Sequence, residues 1–314
     1  MTARRLLVHA VFLYLLPLVV AAWGVSFAGA AGLVLLMLLW RWAITMSGWI
    51  KPEKVPVLEL ESISASHYVE KVRWCMDRLG LEYTERQVGG TLRAFFRGRT
   101  VPQLKIRTGA VRSVIGNSPE ILRYLWGAYG STAGEQADFL RPDEKRLALE
   151  KQLDRYGVDL QVWIYYHILQ DRELALHAWG ANNPAIPAWQ RHVLRLLFPV
   201  LRYLIRWSFR ITDAHYVKAV EHIETTLAEM ETRLEDGQAA LLGGSSSDYV
   251  DITFAALSGL WLQPQGYGGG RADAVRIERE SAPPVMRQDV ERWIANYPRC
   301  VAHMERLYRE ERRP

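Results

Sequence analysis

VLELESISASHYVEKVRWCMDRLGLEYTERQV at residues 57–88, followed by TVPQLKIRTGAVRSVIGNSPEILRYLW at 100–126, is the stretch that decides the fold. Val57–Glu61 is a short strand entered through Pro56. Val69, Val72, Cys75, Met76 and Leu79 then recur at helical spacing, and Gly80 supplies a stop. Glu82–Val88 reads as a second strand, so the opening is βαβ with a right-handed crossover. Thr91–Arg99 reads as a loop or short helical turn. Pro102 leads into a hairpin of Gln103–Arg107 and Ala110–Ile115 around Thr108-Gly109. Ser118 as N-cap, with Pro119 at the first helical position, starts a helix that runs to Tyr129. The result is a small mixed sheet with helices on its faces.

Downstream the chain is helical. Gly130 to Arg141, rich in small and polar residues, reads as a linker. Helical patterning then covers Asp143–Trp179, Pro187–Arg210, Asp213–Glu235, Asp248–Leu262 and Gln288–Glu311. The intervening Gln263–Pro284 is rich in glycine and proline and reads as a loop with the character of a lid. In the helix of 187–210 the apolar residues Leu194, Leu197, Leu201, Leu204 and Ile205 alternate with five arginines. That pattern fits a solvated face or a basic surface resting on lipid headgroups. The expected organisation is a membrane hairpin at 1–54, a sheet domain at 55–130, a linker at 131–141 and an all-helical domain at 142–314, an α+β fold preceded by two transmembrane helices.

The membrane expectation rests on the first 54 residues. Leu6 to Phe27 is a run of 22 residues without a formal charge, about 33 Å long as a helix. A second apolar run, Ala30–Trp49, is interrupted by Arg41 and carries Trp40, Trp42 and Trp49, residue types that suit an interface. Arg4 and Arg5 precede the pair while Lys51 and Lys54 follow it, which orients a hairpin with its soluble part in the cytoplasm. Two alternatives stay open. Ala28-Gly29-Ala30 has the look of a signal-peptidase site, and the second run could lie in the interface rather than cross.

Charge argues against a nucleic-acid partner. The formal net charge is +5, of which the first 54 residues hold +4, so the rest of the chain is nearly neutral and offers no basic stripe of the required kind. Cys75 and Cys300 cannot build a disulfide framework, and the eight histidines show no metal-ligand spacing, so no metal is expected.

What remains for chemistry lies in the opening stretch. A hydroxyl at Ser66, an extended edge at Val101-Pro102 and a helix start after Asn117 suit a small anionic thiol peptide. Val69 occupies the place of the second cysteine of a CxxC pair, so Ser66–Val69 cannot cycle as a dithiol. Cys75 falls on the apolar stripe and reads as a buried thiol, while His67 reads as exposed on the first turn.

In SHYVEKVRWCMDRLGLEY (66–83), TVPQL (100–104), GNSPEILRYL (116–125) and DYVDITFAAL (248–257) the chain resembles the glutathione transferases, over roughly residues 55 to 312. It looks most like bacterial serine-type or transferase-like members. The resemblance implies a thioredoxin-like glutathione-binding domain followed by an all-helical partner. It places Ser66, with Tyr68 as the alternative hydroxyl, where the family puts the group that activates the thiol. It gives Val101-Pro102 the role of a cis-proline edge pairing with the peptide backbone, and Asn117 and Ser118 that of holding the γ-glutamyl group. Arg99 is placed within reach of the glycine carboxylate, and Asp248 and Asp251 form a capping box. Ser66 and Ser118 also read simply as helix caps, Pro102 as an ordinary strand-entry proline, and Arg99 as a loop arginine.

The implied function is a membrane-anchored glutathione transferase, using glutathione as co-substrate against an apolar electrophile that partitions into lipid. Trp163, Tyr165, Tyr166 and His167 are candidates to line the second substrate's site. A homodimer is the family's common state. The alternatives are a non-catalytic adaptor or assembly protein on the same fold, and a glutathione-dependent isomerase or reductase.

Overall fold

The computed structural model describes Val19 and residues 26–49, 55–88, 102–109 and 111–312. It divides into two compact units, Met1–Leu58 with Ile106–Ser113, and Glu59–Lys105 with Val114–Pro314. In the first unit the second apolar run forms helix α1, Phe27–Trp49. Its side chains are mostly exposed, among them Phe27, Leu36, Trp40 and Trp42. Among the described residues no helix is long and apolar enough to cross a membrane, so the expected two-helix hairpin is not supported. The first expected span, Leu6–Phe27, lies almost wholly outside the described residues.

The sheet is built from β1 (Val57–Ser62), β2 (Tyr83–Gln87), β3 (Gln103–Thr108) and β4 (Val111–Gly116), in the order β2-β1-β3-β4. A twelve-residue helix, α2 (His67–Arg78), carries the chain from β1 back to β2, and a two-residue turn joins β3 to β4. These connections make the first pair parallel and the second antiparallel. Gly109 in that turn has φ 61°, a conformation glycine adopts without a steric penalty.

After β4 the second unit is helical: α3 (Ser118–Ala133), α4 (Glu144–Ile168), α5 (Arg172–Ala178), α6 (Ala188–Ser208), α7 (Asp213–Arg233), α8 (Tyr249–Leu262), α9 (Pro284–Asn296) and α10 (Pro298–Glu310). Helix α8 is buried along its whole length and packs on both α2 and α4. An all-round apolar helix of this kind is the core on which amphipathic neighbours assemble.

Several boundaries differ from the sequence reading, each for a local reason. Residues 131–141 are not irregular: α3 runs to Ala133 and a 3-10 helix, Gly134–Leu140, follows directly. The long pattern at 143–179 breaks because Asp171 caps a new helix, accepting from the Glu173 and Leu174 amides at 2.8 and 3.1 Å. The last helix breaks at Tyr297-Pro298, since the residue before proline leaves the helical region and Pro298 is suited to start α10. Pro199 lies within α6 and cannot donate to the Arg195 carbonyl. A guanidinium nitrogen of Arg172 reaches that carbonyl instead, at 3.4 Å.

Helix α2 carries buried charge as well as its apolar stripe. Glu70, Lys71 and Arg73 are all fully buried. Lys71 reaches Glu150 at 2.8 Å and Asp154 at 3.4 Å on α4. Arg73 holds Glu70 at 2.8 Å and Glu85 of β2 at 2.7 Å, and Arg312 returns from the C-terminal end to Glu70 at 2.7 Å. Burial disfavours the Glu85 carboxylate, but hydrogen bonds from Arg73 and Ser62 outweigh it and hold the carboxyl below its usual range.

Removing one partner of such a network leaves uncompensated buried charge. Arg73→Ala is expected to destabilise the second unit by about 3 kcal/mol, the low end for a broken buried pair, because Arg271 and Arg312 still face the two carboxylates. A lowered midpoint in urea unfolding checks this; an unchanged midpoint contradicts it.

Candidate active site

Strand β1 ends at Ser62 and the chain turns through residues 63–65, the Ser66 amide donating to the Ile63 carbonyl at 3.0 Å. Ser66 has extended backbone angles and caps α2, its Oγ accepting from the Val69 amide at 3.4 Å. The side chain is half-buried, and among the described residues no acceptor takes its hydroxyl proton. Ser66 therefore presents an O–H donor at the positive end of a helix, a pairing that stabilises an anion placed against it.

The turn itself is held from several directions. The Ser64 hydroxyl donates to the Gln87 side chain at 2.9 Å, and the Asn183 amide reaches both, at 3.1 and 3.0 Å. The Tyr267 hydroxyl donates to the Ala65 carbonyl at 3.0 Å. Tyr267 belongs to the segment read as a lid. That segment is instead partly buried and built of short 3-10 turns, Tyr267–Gly270, Asp273–Val275 and Arg279–Ser281. Sequence reasoning missed Ser64, Gln87, Asn183 and Tyr267 as supports, because their partners lie from 23 to 202 residues away along the chain.

The neighbouring side chains are committed elsewhere. The Tyr68 hydroxyl donates to the Asp154 carbonyl at 3.0 Å. Burial, reinforced by Asp154 and Asp159, raises its ionisation well above the ordinary tyrosine range. His67 is buried, not exposed: Nε2 lies 3.1 Å from the Gly157 carbonyl, to which it donates. Helix α4 covers this first turn, and burial lowers the imidazole to about 4 against the opposing effect of that hydrogen bond. Cys75 is fully buried and its thiol is pushed up to about 12, chiefly by desolvation, which makes it an unreactive core residue.

At the head of α3 the cap is displaced by one residue from the sequence reading. Asn117 is the N-cap, Ser118 the first helical residue and Pro119 the second. Asn117 is exposed, makes no side-chain capping bond and has φ 77°, an uncommon conformation for a residue with a β-carbon. Ser118 is buried, and among the described residues its Oγ has no hydrogen-bond partner. A buried hydroxyl without a partner carries a desolvation cost. Helices α2 and α3 pack on each other. Pro102 is buried at the entrance to β3, while Arg99 and Val101 lie outside the described residues.

The capping box at α8 has both of its reciprocal bonds. The Asp248 side chain accepts from the Asp251 amide, and also from the Val250 amide at 2.8 Å, while the Asp251 side chain accepts from the Asp248 amide at 2.9 Å. Asp251 also joins α8 to α10 through His303, at 3.1 Å.

The four aromatic candidates for a second substrate site turn to other tasks. The Trp163 indole and the Tyr216 hydroxyl donate to Asp289 at 2.9 and 2.6 Å, with His167 at 3.6 Å from the same oxygen. Burial would raise Asp289, but the surrounding donors pull it down to about 2. Tyr166 stacks on Tyr216 at 4.1 Å and Tyr165 packs on Phe209. Two described cavities, of about 240 and 570 Å³, are lined from the segment 261–290 and Arg312 and include neither Ser66 nor Ser118. Among the described residues no group of three His, Cys, Asp or Glu side chains is placed to hold a metal.

Residues 60–133 match the family model described as "Glutathione S-transferase, N-terminal domain". No curated protein matches the chain. Among solved structures, a glutathione S-transferase of Methylobacterium radiotolerans in complex with glutathione sulfonate is similar at 16% identity and a TM-score of 0.44, over 79% of this chain and 94% of that one. A glutathione S-transferase of Methylobacillus flagellatus with glutathione bound is similar at 15% identity and a TM-score of 0.46, over 81% and 96%. A theta-class enzyme of Xanthomonas axonopodis with glutathione bound reaches 19% identity and a TM-score of 0.36, over 80% and 97%.

His67 makes stability depend on pH. Its folded value near 4 lies below the ordinary 6.5, so between these values the unfolded chain binds the proton and the folded chain does not. Stability should therefore fall as pH drops from about 6.5 toward 4, by up to roughly 3 kcal/mol at the full shift. Urea unfolding at stepped pH should show a shallower slope for His67→Gln, and equal slopes would contradict the assignment.

Proposed function

We propose that the chain binds glutathione at the heads of α2 and α3 and transfers it to an apolar electrophile, with Ser66 as the donor to the sulfur. The observation that carries the reading is the contrast between two neighbouring hydroxyls. Ser66 keeps its proton uncommitted at a helix N-terminus, while Tyr68 has given its own to the Asp154 carbonyl. The family match over residues 60–133 covers both helix heads and supports the same choice of co-substrate.

In this mechanism the thiol of glutathione, ordinarily near 8.5, loses its proton to solvent as it settles against Ser66. The Ser66 O–H donates to the sulfur and the α2 N-terminus stabilises the negative charge, each unit of lowered pKa being worth about 1.4 kcal/mol. The thiolate then attacks an electrophilic carbon, forming a thioether bond as the leaving group departs or the attacked double bond takes a proton. The buried Ser118 Oγ, which lacks a partner among the described residues, and the first amides of α3 supply a carboxylate site for the γ-glutamyl end. Asn117 stands beside it, its side chain exposed and free of any capping duty.

The N-terminal 54 residues would hold the protein at a bilayer with the folded part facing the cytoplasm. Support comes from the uncharged run Leu6–Phe27, the exposed apolar side chains of α1, and the basic residues that flank both apolar runs. Anchoring of this kind would raise encounter with substrates dissolved in lipid.

Glutathione binding by calorimetry, with thiolate absorbance titrated in the bound state, tests the site. Wild type should bind, Ser118→Ala should weaken binding about tenfold, and Ser66→Ala should raise the bound thiol's pKa by about one unit with little change in affinity. Tyr68→Phe should leave the thiol pKa unchanged. A folded wild type that binds no glutathione would overturn the transferase reading and turn attention to the adaptor alternative.

A further inference from the structure

Helix α6 buries one face and leaves a second apolar face in the open. Its inward stripe is Leu194, Phe198, Leu201 and Ile205, with Gln190 at the head. On the outward side Trp189, Leu196, Val200, Tyr203 and Trp207 are all exposed, Leu196 by 77% and Trp207 by 73%. At 100° per residue these five fall within an arc of about 60°. They form a straight row roughly 27 Å long that ends in tryptophan at both limits.

One flank of that row is basic. Arg191, Arg195, Arg202 and Arg206 occupy another arc of about 60° between the buried stripe and the exposed one, and Arg210 follows just past the end. The sequence from Leu174 to Thr212 contains no aspartate or glutamate at all. Arg195 turns back to the Ala181 carbonyl and the Asn182 side chain, at 2.7 and 2.8 Å. No carboxylate among the described residues pairs with any of the five arginines.

An exposed row of Trp, Leu, Val, Tyr and Trp is unusual on a soluble surface, where large apolar side chains are scattered singly. Its chemistry selects among partners. A second copy docking this face on itself would bring two acid-free arginine rows together without a counter-charge. A bilayer with anionic lipid answers both features, since the apolar row enters the acyl boundary while guanidinium groups reach up their flank to phosphates. Tryptophan at the row's ends suits the headgroup level.

We infer that α6 is an in-plane membrane-docking helix, inserting its Trp189–Trp207 row into an anionic lipid surface and holding headgroup phosphates with its arginine row. This contact is separate from the N-terminal apolar segment and from the glutathione site, so it stands or falls independently of both. It would lay the second unit flat on the bilayer surface along one defined face.

The test uses the full chain in vesicles of phosphatidylcholine, with or without phosphatidylglycerol. A polarity-sensitive fluorophore is placed at Leu196→Cys and, as a control, at Lys218→Cys on the exposed side of α7. Cys75 and Cys300 are buried and leave the new thiol as the reactive one. The signal at position 196 reports the surroundings of the helix face itself, whether or not the N-terminal segment associates with the vesicles. The 196 label should shift to the blue and be quenched by nitroxide lipid in anionic vesicles, with the 218 label unaffected. Arg202→Gln and Arg206→Gln should each lower the docked-to-undocked ratio about fivefold, with glutathione binding unchanged. A 196 label that stays in water on anionic vesicles overturns the inference. So does a label that becomes buried without lipid while the protein doubles in mass, which would assign the face to a second copy.

Discussion

The buried ion network of α2 is the constraint on which the rest of the second unit depends. A single turn of this helix buries three charges: Lys71 toward α4, Arg73 toward β2, and Glu70 toward both Arg73 and the C-terminal Arg312. Each ion is costly to remove from water unless its partners arrive in good geometry. The sheet, the first long helix of the helical region and the last residues of the chain must therefore all be in place together. That requirement fixes the orientation of the helix whose N-terminus carries Ser66. The same packing accounts for the fate of Tyr68 and His67, whose polar atoms are taken by the α4 backbone at Asp154 and Gly157.

Much of this framework is legible in the sequence, and the illegible parts share a cause. The stripe Val69, Val72, Cys75 and Met76 marks α2 because an apolar face follows the helical period. The hairpin, the helix after Asn117 and the Asp248–Asp251 box are likewise local patterns. Glu70, Lys71, Arg73 and His67 defy the reading because α2 is covered on its nominally polar side as well. Their partners lie 79 to 242 residues away, or on another element altogether, and periodicity carries no information about them. The aromatic run at 163–167 misleads for the opposite reason. Its residues face Asp289, Tyr216 and Phe209, a polar and aromatic cluster that no sequence spacing announces.

At the candidate site, the sequence offers two hydroxyls two residues apart, Ser66 as the first choice and Tyr68 as the alternative. Hydrogen-bond accounting favours the first for the proposed role. A tyrosine whose proton is donated to a backbone carbonyl, in surroundings that disfavour the phenolate, has nothing left for a ligand sulfur. A serine that accepts from its own helix and keeps its proton has one donor to give. Ser118 presents the complementary case. Its hydroxyl is buried without a partner among the described residues, an unmet demand that the proposed carboxylate would meet.

Helix α6 extends the same accounting from single atoms to a surface. An ordinary amphipathic helix spends its apolar residues on one face and its charges on the other. Here the inward stripe is fully used by the core, yet a second row of large apolar side chains stands outside it, with four arginines along one flank. Neither folding nor solubility calls for that row. Burying Leu194, Phe198, Leu201 and Ile205 already holds the helix in place, and polar residues outside would keep the surface soluble. A feature that the fold does not need, and that solubility opposes, points to a partner. With no carboxylate from 174 to 212 to answer its arginines, that face suits a surface which is apolar beneath and anionic above.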